Sequence, residues 1–209
     1  MSKVAILVDG GYYKACYWQR YKENPLPEDL LNHCDKLLNQ KALLNYELLR
    51  IYYYDCLPYD KDDVHPVTKE KISYAETPQF EQNMKFLNEL KVQPNIAFRK
   101  GILKLNGWKI SSEGLRDVIS QHRTIRPQDI RADFKQKRLD INIGLDIAWL
   151  ASKQLADCIV LITGDTDFIP ALKFARREGV KVIVNLLAPS NAEDLYEHSD
   201  LVIKLKPLL

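Results

Sequence analysis

Apolar residues fall into short continuous runs and spaced ladders that alternate along the chain. Val4–Val8 is an unbroken apolar run that stops at Asp9-Gly10-Gly11, the pattern of a central strand buried on both faces of a parallel sheet. Leu30, Leu31, Leu37, Leu38 and Leu44 recur near helical spacing and predict a helix over Leu30–Leu44, with Pro25 and Pro27 ahead of it and Asp29 as its cap. Leu48–Cys56 is rich in Tyr and Ile and predicts the second strand, in which alternation must bury at least one of Tyr52, Tyr53 and Tyr54. The polar, proline-bearing stretch 57–77 predicts a loop. Phe80, Met84, Leu87 and Leu90 predict an amphipathic helix, and Ile96–Arg99 and Ile102–Trp108 two short strands around Gly101 and Gly107. Residues 111–136 are charged and weakly periodic, the pattern of an exposed flap or insertion.

The final third has the clearest periodicity. A helix is predicted over Leu139–Leu155, and a buried strand over Cys158–Thr163 that runs into Gly164-Asp165. Phe168–Arg177 predicts a helix stopped by Gly179, and Val180–Val184 a strand. Ala192–His198 predicts a short helix, and Leu201–Leu205 the last strand. Repeated strand–helix units give an α/β fold, with a mostly parallel central sheet covered by helices on both faces.

Length and composition narrow the class. The 209 residues suit a single domain with a basic insertion at about 99–136. At 46% apolar and 28% charged residues, the chain is an ordinary globular one, not disordered, collagenous or coiled-coil. No apolar run is long enough for a membrane span, and the opening residues do not suit a signal peptide, so a cytoplasmic protein is expected. Cys16, Cys34, Cys56 and Cys158 lie far apart without a CxxC, which predicts buried free thiols. The net charge of +2 conceals an asymmetry: residues 99–138 hold eleven basic and four acidic side chains, a local +7 that leaves −5 elsewhere. Such a stretch suits a polyanion, or equally a solvated, salt-bridged surface.

Ligands of parallel sheets bind beyond the carboxyl ends of the strands, and carboxylates recur there. Asp9 follows the first strand, Asp165 and Asp167 follow the Cys158–Thr163 strand, and Asp140 opens a helix after Lys135-Gln136-Lys137-Arg138. Two unit charges about 5 Å apart repel by roughly 3 kcal/mol at an effective dielectric near 20, so a convergent set calls for shared protons or a cation. Hard oxygen donors suit Mg²⁺ or Mn²⁺. Each acid also has a local role open to it: Asp9 as turn former or N-cap, Asp165 or Thr166 as cap, Asp140 as a first-turn acid on the helix dipole. Asp146 is about 240° around the helix from Asp140, so both cannot point at one metal. Lys137 beside the acids could contact phosphate, and Trp108 near Lys104 and Lys109 pairs an aromatic with basic groups. There is no GxGxxG, no P-loop and no clustering of His33, His65, His122 and His198.

Taken together, Val8-Asp9-Gly10-Gly11, Lys137-Arg138-Leu139-Asp140 with Asp146, and Thr163-Gly164-Asp165-Thr166-Asp167-Phe168 resemble the NYN domain of the PIN-like nuclease superfamily, in its LabA-like branch. Gly179-Val-Lys-Val182 and Asp200-Leu-Val-Ile203 match as well. The resemblance implies a three-layer α/β/α PIN-like, Rossmann-like sandwich and metal-dependent cleavage of RNA. Carried over by position, Asp9, Asp140, Asp165 and Asp167 would form the catalytic site and hold Mg²⁺ or Mn²⁺, with Asp146, Thr163, Thr166 and Tyr12 as further candidates. Lys104, Lys109, Lys135, Lys137 and Arg138 would hold the RNA, expected to be single-stranded, and a homo-oligomer is compatible with the pattern. One departure stands out: Tyr12 occupies the position at which many members carry Asn. A domain that binds RNA or protein without cleaving is the competing expectation. A haloacid-dehalogenase phosphatase is disfavoured because position 11 is Gly rather than the second Asp of a DxD.

Overall fold

The computed structural model describes residues 2–189 and 193–207. The chain divides into two compact units, one built from 1–55, 86–101 and 138–209, the other from 56–85 and 102–137. The strand order of the seven-stranded sheet is β6-β5-β2-β1-β7-β8-β9. Its strands are β1 (Ser2–Asp9), β2 (Tyr46–Cys56), β5 (Ile96–Ile110), β6 (Ile130–Lys137), β7 (Cys158–Ile162), β8 (Lys181–Asn185) and β9 (Leu201–Ile203), while β3 (Asp62–Val64) and β4 (Lys71–Ser73) form a separate hairpin.

In the first unit β1 pairs in parallel with β2 on one side and β7 on the other, and β7, β8 and β9 continue in parallel. Helices α1 (Gly10–Tyr21) and α2 (Pro27–Leu38) link β1 to β2, and α3 (Pro78–Leu90) lies between β2 and β5 in the chain. Past the second unit, α5 (Leu139–Ser152) precedes β7, α6 (Ile169–Arg177) links β7 to β8, and α7 (Glu193–Glu197) links β8 to β9. Neighbouring residues of β2 show two covered faces: the Tyr53 ring meets Phe86 of α3 with centroids 5.8 Å apart, while Tyr54 Oη donates to Asp146 of α5 at 2.7 Å. The first unit is therefore a three-layer α/β/α sandwich, and Val4–Val8, Ile159–Ile162 and Val182–Val184 are wholly buried at its centre. From β1 the chain moves outward to β2, whereas from β7 it moves the other way to β8 and β9. The strand order thus reverses between β1 and β7, which opens a crevice at their carboxyl ends.

Several boundaries differ from the sequence expectation. Helix α2 begins earlier, at Pro27, and ends at Leu38 rather than Leu44. The Asn39 and Gln40 side chains donate to the Asp35 and Lys36 carbonyls and close its last turn, and Leu43 is buried by the turn that follows. Helix α1 was not signalled at all, because two glycines at its start and four tyrosines within it give a poor helical pattern. The predicted pair of strands around Gly101 and Gly107 is one strand, β5, whose register shift between Leu105 and Trp108 absorbs Gly107 at φ 106°. The start of the predicted helix at Ala192 lies outside the described residues. All four cysteines are buried and free, as expected. Among the described residues, no helix is long and apolar enough to cross a membrane.

The second unit replaces the expected loop and flap with ordered elements. Residues 57–77 contain the β3–β4 hairpin, and 111–136 contain α4 (Ser112–Ser120), a short 3₁₀ turn and most of β6. Their core is small and aromatic: Tyr59, Tyr74 and Phe134 meet with centroids 5.2–5.4 Å apart. Ser111 Oγ caps α4 by accepting from Gly114 N. Arg123 grips Asp129 through both terminal nitrogens at 2.6 and 2.8 Å, which holds the Asp129 carboxyl down at about 2. Phe134 meets Tyr59 and Tyr74 from 75 and 60 residues away, so local periodicity could not announce that core.

Candidate active site

Asp9 ends β1 and caps α1, its carboxylate accepting from Tyr12 N at 3.1 Å. The cap requires α1 to begin against β2: a Cβ on Gly10 would lie 2.6 Å from the Tyr54 carbonyl oxygen and 2.7 Å from the Tyr53 ring. At the end of β7, Thr163 is fully buried. Its Oγ1 accepts from Asp165 N at 3.1 Å and donates to Asp9 Oδ2 in a long 3.4 Å bond, so one hydroxyl ties the two strand ends together. The Asp165 carboxylate caps the next turn by accepting from Asp167 N at 2.9 Å, and this turn carries Thr166 and Asp167, both exposed. Asp140 lies in the first turn of α5.

These carboxylates act on one another. Burial first, then the charges of Asp140 and Asp165, holds the Asp9 carboxyl above its usual range despite the bond from Tyr12 N. Asp140 is also raised, by partial desolvation and by Asp165 and Asp167. Among the described residues no Lys or Arg pairs with Asp9, Asp140, Asp165 or Asp167. A set of hard oxygen donors in no ion pair with Lys or Arg among the described residues fits a divalent ion of the Mg²⁺ type, held through one or two carboxylates and water. Among the described residues, no three His, Cys, Asp or Glu side chains are grouped closely enough to enclose an ion by themselves.

The further candidates separate. The Asp146 carboxylate is engaged elsewhere: its Oδ2 accepts from Tyr54 Oη at 2.7 Å and Arg99 Nε at 2.8 Å, and Arg99 in turn lies over the Tyr52 ring at 5.0 Å. Tyr12 packs its ring on Gly164, where a Cβ would come within 2.8 Å of Cε2, and its hydroxyl accepts from Leu187 N at 3.0 Å. Burial pushes that hydroxyl up to about 12, so it stays protonated at neutral pH. A buried pair escaped the sequence analysis: Lys14 Nζ meets Asp55 Oδ2 at 2.6 Å, and Asp55 also accepts from Tyr53 Oη at 3.2 Å. Asp55 follows the apolar part of β2 just as Asp9 follows that of β1, so its position at a strand end was the available signal.

The basic candidates lie on the β5–β6 hairpin, apart from Arg138, which sits at the start of α5 in the left-handed region at φ 73°. In the antiparallel register Lys104 faces Lys135 and Ile102 faces Lys137. By the two-residue period of a strand, Lys104, Lys135 and Lys137 therefore share one face, and all three are exposed. Lys109 is already ion-paired with Asp133.

Comparison with known proteins supports the architecture. The solved structure of VPA0982 from Vibrio parahaemolyticus, a protein of unknown function, aligns over 97% of this chain and 91% of its own with a TM-score of 0.53 at 18% identity. The uncharacterized protein MJ0482 of Methanocaldococcus jannaschii is 34% identical over 67 residues, which is 32% of this chain and 28% of that protein. The NYN domain matches residues 3–206. With the acids of β1 and β7 gathered at the reversal of strand order, and a match spanning nearly the whole chain, this protein belongs to the NYN domain family.

Proposed function

We propose that this protein is a Mg²⁺- or Mn²⁺-dependent endoribonuclease of the LabA-like branch, acting on single-stranded RNA in the cytoplasm. The observation that carries this reading is the set Asp9, Asp140, Asp165 and Asp167, in no ion pair with Lys or Arg among the described residues, in which burial and then mutual repulsion raise the carboxyls of Asp9 and Asp140. Four reduced, buried thiols are in keeping with a reducing compartment.

Asp9, Asp165, Asp167 and Asp140 would hold the metal, which supplies a water activated at neutral pH and offsets charge building on the phosphodiester. The chain's own part is positioning. Thr163 fixes Asp9 relative to the Asp165 backbone, and the Asp165 cap orients the turn bearing Thr166 and Asp167. Asp140, in the first turn of α5 and raised by partial desolvation and by Asp165 and Asp167, would complete the ligand set. Lys104, Lys135, Lys137 and Arg138 would bind the RNA backbone.

Tyr12 favours a second reading, an RNA- or protein-binding domain that does not cleave. Its hydroxyl is committed to Leu187 N and cannot replace the amide oxygen that an Asn would offer. Labelled single-stranded RNA incubated with Mg²⁺ or Mn²⁺ separates the two. The parent protein is expected to cleave, and Asp165→Asn to lose at least 100-fold in rate while still melting cooperatively. Binding without cleavage by the parent selects the second reading.

A further inference from the structure

A second concavity adjoins the acidic site. Leu186, Leu187, Ala188 and Pro189, which follow β8, line a cavity of about 220 Å³ together with Tyr196 of α7 and Lys204 and Lys206 beyond β9. The connection to the acids is short: Leu187 N donates to Tyr12 Oη, and the Tyr12 ring packs on Gly164, the residue before Asp165. The wall is built rather than incidental. Asn185 Nδ2 donates to the carbonyls of Ile203 and Leu205 at 3.0 and 3.1 Å, and its Oδ1 is bonded to His33 Nε2 at 2.7 Å, with both side chains wholly buried. The segment bearing Lys204 and Lys206 is thereby tied to the end of β8, where the opposite wall starts.

Three features select the ligand. The volume lies below the roughly 300–1,000 Å³ of sites for drug-sized molecules, which suits a single planar ring system. Tyr196 is 41% exposed, and Lys204 Nζ lies 5.3 Å from its ring centroid. Among the described residues neither Lys204 nor Lys206 is in an ion pair. A part-exposed aromatic ring with one ammonium group already against it, and a second exposed ammonium group outside any ion pair among the described residues, is complementary to a base joined to phosphates. A base held in a duplex cannot present its face this way, whereas an unpaired one can.

We propose that this cavity is a nucleotide subsite that stacks one unpaired base of an RNA strand on Tyr196, with the flanking phosphates on Lys204 and Lys206. By fixing that base, it sets which phosphodiester reaches Asp9 and Asp165. The identity of the strand rests on the ribonuclease reading above.

The test is fluorescence anisotropy of a labelled single-stranded oligoribonucleotide and of its duplex, in Ca²⁺ and without cleavage. Tyr196→Ala is expected to weaken single-strand binding by roughly 5- to 100-fold, the equivalent of about 1–3 kcal/mol for a lost stacking contact. Tyr196→Phe keeps the ring and should retain affinity, and duplex binding should ignore both changes. Lys204→Ala and Lys206→Ala, at exposed positions, should each flatten the log–log salt dependence by about 0.7. Unchanged single-strand affinity in Tyr196→Ala, an equal loss on duplex, or a salt slope unmoved by both lysine variants overturns the proposal. A parent that cleaves RNA with an affinity indifferent to Tyr196 retains the nuclease reading and loses the subsite. Binding that depends on Tyr196 in a parent that never cleaves does the reverse.

Discussion

The carboxylate of Asp9 caps α1 through Tyr12 N and also faces the charges of Asp140 and Asp165. The cap stabilises the helix, while burial beside like charges opposes ionisation. Because the folded chain holds the Asp9 proton more tightly than the unfolded chain, stability falls as pH rises from the usual carboxylate value of 3.8 through the raised one. The deficit is absent below 3.8, where both states are protonated, and complete only once the pH has passed above the raised value. Asn is as good a cap as Asp, so Asp9→Asn should abolish cleavage yet raise the melting temperature at pH 7 in the metal-free protein. The expected rise is about 2–4 °C for each kcal/mol of repulsion removed in a chain of this size, and it should fade as the melt is repeated toward pH 3. A melting temperature that drops at every pH would mean that the charge of Asp9 stabilises the fold. The strand-end rule exposed Asp9 and Asp165 in the sequence, but it could not reveal that Asp146 is committed to Tyr54 and Arg99, partners 92 and 47 residues away.

Among the elements, the β5–β6 hairpin has the least internally balanced charge. Lys104 and Lys135 face each other directly in the register, an arrangement of like charges that costs a strand pair up to about 1 kcal/mol. A polyanion lying along this face would relieve it. Binding of single-stranded RNA in Ca²⁺ should therefore weaken with salt at a log–log slope of about −0.7 per phosphate contacted. Replacing Lys104, Lys135 and Lys137 together with Ala should reduce that slope by roughly 2 and weaken different sequences equally. Lys109→Ala should change it little, since Asp133 already neutralises that lysine. A slope untouched by the triple substitution would mean that this face meets only solvent. The charge excess of this stretch was countable in the sequence, but the sharing of one face by three lysines depended on β6, which charged and weakly periodic residues did not predict.

At the scale of the whole molecule, a cation held by the acids of β1, β7 and α5 would couple the three elements and so bind the folded chain in preference to the unfolded one. Mn²⁺ at about one hundred times its dissociation constant should add about 2.7 kcal/mol, a rise of roughly 5–11 °C in calorimetry. Asp165→Asn should lose most of that rise, and chelation should reverse it in the parent. An equal shift in Asp165→Asn would place the ion elsewhere. The sequence by itself determined what depends on nearest neighbours: the buried runs of β1, β7 and β8, the alternation of strand and helix that makes the sheet parallel, and the acids at strand ends. Those signals are strong because a strand buried on both faces tolerates almost no polar residue along its length. Only the tertiary structure decided the rest. Helix α1 forms despite its glycines because Gly10 alone fits against the Tyr54 carbonyl. The second unit folds around Tyr59, Tyr74 and Phe134, which no local period connects. Tyr12, Thr163 and Asn185 acquire their roles from partners between 18 and 175 residues away. A hydrogen bond or a close packing contact is specified by proximity in space, and the chain encodes that proximity only through the complete fold.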